Sequence, residues 1–310
     1  MNNTLTSVPG LRVGHATSDA GDTGCTVVLG PFRAAVEIRG LATGTREVGT
    51  LDPHHLVPMA HGIVLSGGSA FGLAAADGVM AWLEDRDEGF DAGVARVPIV
   101  PAAVIFDLAE GRARPDAGMG ARACDAATTD AVPIGRVGAG AGATVGKWAG
   151  PDSSSPGGLG SWAVDAEPYR VAALVVTNAL GDVCDEMGTV LAGARGSDGA
   201  LLDARGALLA APGASPLSDP KAGTNTTLAV VATDAPLSKV DLGRMARTAA
   251  NALAARIFPV HTPFDGDVIF AVSTASEVQD VAPVELLRLG AAAQTALEEA
   301  ITRSVKDLPA

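Results

Sequence analysis

Aromatic side chains are scarce in this sequence: Phe, Trp and Tyr make up 4% of 310 residues, with a single Tyr. A core must therefore be built from Ala, Val, Leu and Ile. The hydrophobic share of 47% is ample for that and excludes a disordered chain. Positive charge is short as well, with 22 Lys and Arg against 35 Asp and Glu and a net charge of −13. That balance repels phosphate backbones, so no nucleic-acid partner is expected. Cysteine is limited to Cys25, Cys124 and Cys184, widely spaced, with no CxxC and no Cys/His cluster. This argues against a disulfide framework and against structural zinc. The start, MNNTLTSVPG, lacks both a basic region and an apolar run, so no signal peptide is expected. The longest stretch free of charged side chains, 53–76, carries three His and two Pro, which is wrong for a membrane helix. The expectation is a soluble cytoplasmic protein with no membrane partner.

Strands and helices are mixed without a regular βαβ alternation, and no fixed-period repeat is present. Strands are predicted at Cys25–Leu29, Ala34–Ile38, Ile63–Leu65, Pro98–Phe106, Val171–Thr177, Leu228–Thr233 and Val268–Ser273. Helices are predicted from a Ser69 cap through AAADGVMAWLED, over Val240–Ile257 and over Val284–Arg303. Gly138–Gly146 reads as a close backbone approach and Ala149–Ser161 as a loop. Gly206–Gly223, rich in Pro, Gly, Ala and Ser, reads as a linker.

Several segments carry groups capable of chemistry, each with a plainer alternative. SGGSAFG, Ser66–Gly72, stands where a strand turns into a helix and offers free N–H groups to an anion. It lacks the Walker Lys, the GxGxxG spacing and a G-x-S-x-G elbow, so a tight turn is the preferred reading. The five His form no HxH or HExxH pattern and read as structural or solvated. Lys147, in GATVGKW, is either a surface lysine or a buried amine whose desolvation turns it into a base. Asn178 ends an apolar strand and serves either a turn or an oxyanion. Asp265 and Asp267, two apart in FDGDVIF, share a face if extended, unless they form a solvated Asp-Gly turn.

GTNTTLAVVATDA, Gly223–Ala235, is the most informative stretch. A linker ends and Thr226 opens a strand. A Thr hydroxyl is a poor nucleophile without a base, and one solution makes Thr the chain terminus so that its own α-amine serves. That amine has a reference pKa of about 8. Thr226 reaches that state only if the bond before it is cut.

With these pieces in order, the sequence resembles the self-processing aminopeptidases that include L-aminopeptidase/D-esterase-amidases, β-peptidyl aminopeptidases and nylon-oligomer hydrolases. The resemblance rests on VGHATSDAGDTGCTVVL, LSGGSAFGLAAADGVMAWLE, PIVPAAVIFDL, GRVGAGAGATVGKW, VVTNALGD and GTNTTLAVVATDA, which span nearly the whole chain. It implies an α/β fold, a four-layer αββα sandwich shared with ornithine acetyltransferases. It implies one domain, autocleaved between Asn225 and Thr226 into chains 1–225 and 226–310, and a homo-oligomer, commonly a tetramer or larger. By motif, Thr226 matches the nucleophile, Lys147 and Asn178 line the site, and Asp265 and Asp267 match a polar pair beside it. The substrate implied is an amide, in a small oligoamide, a short peptide or an amino-acid amide, with no metal or organic cofactor. The Asn-Thr junction and the Asp pair stand where aminopeptidase members tend to carry Gly-Ser and a Ser with a Glu. Both differences are closer to the nylon-oligomer hydrolases. Phe106 stands where some members have an aromatic hydroxyl. Two alternatives remain: an acyltransferase, which an acceptor amine would accelerate, and a binding protein of the same fold, which would purify as one intact chain.

Overall fold

The computed structural model describes residues 2–210, 225–306 and 308. Nine strands carry the architecture among them: β1 (Arg12–Thr17), β2 (Gly24–Ile38), β3 (Gly44–Arg46), β4 (Ala60–Ser66), β5 (Ala102–Val104), β6 (Gly158–Ala166), β7 (Tyr169–Asn178), β8 (Thr226–Thr233) and β9 (Val268–Ser273). The helices are α1 (Ala75–Glu84), α2 (Ala117–Asp125), α3 (Ala204–Leu209), α4 (Lys239–Ala249), α5 (Asn251–Arg256) and α6 (Pro283–Val305).

The strands run in the order β6-β7-β8-β9-β2-β4-β5-β3, with β1 also on β2. Residues 24–29 of β2 pair with β1 and β4, whereas residues 33–38 pair with β9. The register breaks between Leu29 and Phe32, so one long strand passes from one sheet layer to the next. The two strands predicted at Cys25–Leu29 and Ala34–Ile38 are its two halves.

Three apolar clusters define four layers. Val27, Leu29 and Val64 pack on Ala76, Val79 and Ala123 of α1 and α2. Ile63, Leu65, Leu174, Leu228, Val230 and Phe270 fill the space between the sheets. Val175, Ala229, Val231 and Ile269 pack on α4 and α6. This is an αββα sandwich, as the family resemblance implies. β8 is buried on both faces along its whole length, which is why it reads as a continuous apolar run. Each of its Val and Leu side chains contributes about 1.5–3 kcal/mol by leaving water.

Some sequence expectations need correction. β6 begins inside the segment read as a loop, 149–161. Its glycines do not mark a turn: a Cβ on Gly160 would lie 1.9 Å from the Ala300 carbonyl oxygen, so Gly160 is there to let β6 approach α6. Ser69 does not cap a helix. It starts a 3-10 turn, Ser69–Ala74, whose N-cap is the left-handed Gly68, and α1 follows. The helix expected over Val240–Ile257 is two helices that meet at Ala250, followed by a short strand, Ile257–Phe258. The strand expected over Pro98–Phe106 narrows to Ala102–Val104. Gly206–Leu209, read as the start of a linker, belong to α3, and 211–223 of that linker lie outside the described residues.

Candidate active site

The site forms where three neighbouring strands meet at one end of the second sheet. β7 and β8 are antiparallel, and their register sets Asn178, the last residue of β7, across from Thr226, the first of β8. β9 runs parallel to β8, so the segment entering β9 flanks the same end, with Asn225 bridged to Asp265. Lys147 arrives on a short 3-10 turn, Lys147–Ala149. All five residues singled out from the sequence therefore lie in one neighbourhood.

Thr226 is 2% exposed. Its Oγ1 donates to the Asn225 carbonyl oxygen at 2.5 Å. The same oxygen accepts the Gly266 N–H at 2.8 Å. A hydroxyl and an N–H thus converge on the carbonyl of the peptide bond before Thr226, which is the arrangement needed to polarise that carbonyl. Asp267 anchors the next residue, with Oδ1 accepting the Thr227 N–H at 2.8 Å. Its Oδ2 accepts from His261 Nδ1 at 2.8 Å. Asp265 accepts from Thr262 through both its N–H, at 3.0 Å, and its hydroxyl, at 2.5 Å. Burial, and then the charge of Asp267, push the Asp265 carboxyl above its ordinary value.

Lys147 Nζ donates to the Asn178 backbone oxygen at 3.0 Å and to its Oδ1 at 2.8 Å. Burial of the ammonium brings its pKa down to about 7, while the charges of Asp265 and Asp107 oppose the fall. The residue as a whole keeps partial exposure, so the enclosed part is the amine end. Asn178 is fully buried, and its Oδ1 also accepts the Thr144 N–H at 3.1 Å. Its Nδ2 donates to the Phe106 oxygen at 3.3 Å. In this uncut chain the Asn178 amide holds Lys147 and the Phe106 segment together.

Thr226 opens on a cavity of about 470 Å³. The apolar residues Ala42, Ala70, Val104, Ile105 and Phe106 line it, together with the hydroxyl-bearing residues Thr43, Ser69 and Thr226. Among the described residues no carboxylate and no ammonium lines it. Among the described residues no three His, Cys, Asp or Glu side chains gather as a metal-binding group.

Sequence reasoning missed Gly266, because an N–H donor has no side-chain signature. It also set His261 aside as structural or solvated. The Asp-Gly-Asp spacing is the available signal for Gly266. A Cβ there would lie 2.6 Å from the Ala42 oxygen and 2.9 Å from Thr226 Oγ1. Gly266→Ala should therefore displace the Thr226 hydroxyl. A shift of about 1 Å costs on the order of 100-fold in rate, so conversion to two chains, followed on a denaturing gel, should slow by about that factor.

Two sheets packed between helical layers set the fold, and its relatives make the chain an amide hydrolase. The profile of Peptidase family S58 matches residues 3–307, and the chain belongs to that family. An uncharacterized aminopeptidase of Mycobacterium leprae is 40% identical, over 98% of this chain and 90% of the relative. A 6-aminohexanoate-oligomer endohydrolase of Agromyces sp. is 34% identical, over 86% of this chain and 73% of the relative. The L-aminopeptidase D-Ala-esterase/amidase of Ochrobactrum anthropi, a variant of the Ntn hydrolase fold, superposes with a TM-score of 0.74 at 20% identity. That superposition covers 97% of this chain and 85% of the other.

Proposed function

We propose that the protein is a self-processing N-terminal-threonine hydrolase that cuts amide bonds inside uncharged oligoamide chains. The observation that carries the first half is the Thr226 hydroxyl on the Asn225 carbonyl oxygen, with the Gly266 N–H on the same atom. In the precursor, Thr226 Oγ1 attacks the Asn225 carbonyl carbon, and Gly266 stabilises the oxyanion. Neutral Lys147 takes the hydroxyl proton and returns one to the departing Thr226 nitrogen as the C–N bond breaks and the acyl group moves to oxygen, and water then opens the ester. In the mature enzyme the freed α-amine of Thr226, or neutral Lys147, takes the hydroxyl proton during attack on a substrate amide. Asp267 fixes the backbone at Thr227. Asp265 is bridged through its backbone to Asn225, the residue on the other side of the cut.

The substrate half rests on the cavity. An enzyme that selects a terminal ammonium needs a carboxylate to receive it, and none of the described residues lining this cavity supplies one. The carboxylates of Asp265 and Asp267 are taken up by Leu180, Thr262, Thr227 and His261. A neutral methylene-and-amide chain fits such walls. The relatives named 6-aminohexanoate-oligomer endohydrolases support the same substrate class. The test compares a linear 6-aminohexanoate trimer with its N-acetylated form. Acetylation should change kcat/KM by less than about threefold, because no ionic contact is lost. A trimer that is cut only with its amine free would overturn the endo-acting reading and favour an aminopeptidase.

The family resemblance further supports a cytoplasmic homo-oligomer of four or more copies. Exposed Val240, Val284 and Leu287 on α4 and α6 are suited to a subunit contact. No described helix is long and apolar enough to cross a membrane.

A further inference from the structure

We infer that the Ser69 hydroxyl is a specificity-determining contact, hydrogen-bonding a second amide of the substrate chain beside the one being cut. This rests on the oligoamide reading above.

Ser69 has φ +52°, a left-handed conformation that glycine holds without strain and a serine holds at a cost. It follows Gly68, itself at φ +78°. The backbone around both is pinned. Asp107 Oδ1 accepts the Gly68 N–H at 2.6 Å, and the Ile105 oxygen accepts the Ser69 N–H at 2.9 Å. The Ile105 N–H in turn donates to the Ser66 oxygen at 2.8 Å. A side chain kept at a place where glycine would be easier calls for a use. The N-cap of the 3-10 turn is Gly68, so the Ser69 hydroxyl is not in the capping position. The Ser69 hydroxyl has no hydrogen-bond partner among the described residues. Ser69 nevertheless lines the same cavity as Thr226.

The chemistry of the substrate completes the argument. Along an uncharged oligoamide the only polar landmarks are its amides. The amide being cut is engaged by Thr226. A hydroxyl both donates and accepts, so it can meet either the C=O or the N–H of the next amide. That contact would set which amide of the chain lies over Thr226.

The test uses Ser69→Ala and Ser69→Gly in the processed enzyme, with the N-acetylated 6-aminohexanoate trimer and with an acyl anilide that has only one amide. Both variants should self-cleave as the parent does. Both should lose about tenfold in kcat/KM on the trimer, the worth of one neutral hydrogen bond. On the anilide both should stay within about twofold of the parent. Ser69→Gly should show the same loss with an unchanged or raised Tm, since it also relieves the backbone. Equal losses on both substrates would make Ser69 a structural residue and overturn the inference. So would full activity on the trimer. A parent enzyme that cuts the anilide and no oligoamide would instead remove the oligoamide reading on which the inference stands.

Discussion

Replacing Thr226 by Ala should leave one uncut chain of 30.9 kDa with no amidase activity, whereas the parent should run as two bands. In proportion to length, the parent bands should be about 22.4 kDa for 1–225 and about 8.5 kDa for 226–310, two pieces of one folded unit. The small band should begin Thr-Thr-Leu-Ala-Val on N-terminal sequencing. The loss is complete because one oxygen serves both reactions. Without it no ester forms at Asn225, and no nucleophile meets a substrate. The two pieces should co-elute under native conditions. β8 is hydrogen-bonded to β7 on one side and β9 on the other, so cutting before it removes no sheet contact. Thr227→Val is the control. Thr227 shares the face of Ala229 and Val231, toward the helical layer, and its buried hydroxyl has no partner among the described residues. Valine keeps the shape and the Asp267 contact, which runs through the backbone N–H. That variant should process normally. An amidase-active, two-band Thr226→Ala protein would end the nucleophile assignment.

The parts of this arrangement that were legible in the sequence are those written in side chains. Thr226 stood out because a linker gives way there to a run with no polar break, and the run has no break because β8 is buried on both faces. Asp265 and Asp267 stood out by spacing. What escaped was written in backbone. Gly266 contributes an N–H, which every non-proline residue has, and only the fold decides where it points. The bend that carries β2 between sheets looks in sequence like a gap between two strands. The start of β6 is hidden because glycine needed for contact with α6 looks in sequence like glycine needed for a turn. The pairing of Lys147 with Asn178 joins residues from a 3-10 turn and a strand end, a proximity that local pattern does not encode. Ser69 was visible as a residue, but its left-handed φ was not. A strained serine and an easy glycine turn share the same letters.

Lys147→Ala should slow self-cleavage by about 100-fold to 10,000-fold, the usual worth of a positioned general base. The mechanism requires the neutral amine, and burial has already brought its pKa down to about 7. Below that pH the amine is protonated and unable to accept a proton. The parent rate should therefore rise about tenfold per pH unit on the acid side and level off above pH ~7. The charges of Asp265 and Asp107 oppose the fall in pKa, so each favours the ammonium form. Asp265→Asn removes one of those charges and should move the acid limb to lower pH, whatever it does to the maximal rate. Lys147→Arg should not rescue the alanine variant. Guanidinium stays charged across this range, and its planar fork does not match the two Asn178 oxygens that one ammonium now holds. The measurement is the rate of band conversion between pH 5 and 9 in the four proteins, started by dilution from denaturant. An alanine variant that keeps both the rate and the acid limb would show that the proton goes elsewhere. The α-amine of Thr226 could not be that acceptor, because it does not exist until the bond is cut.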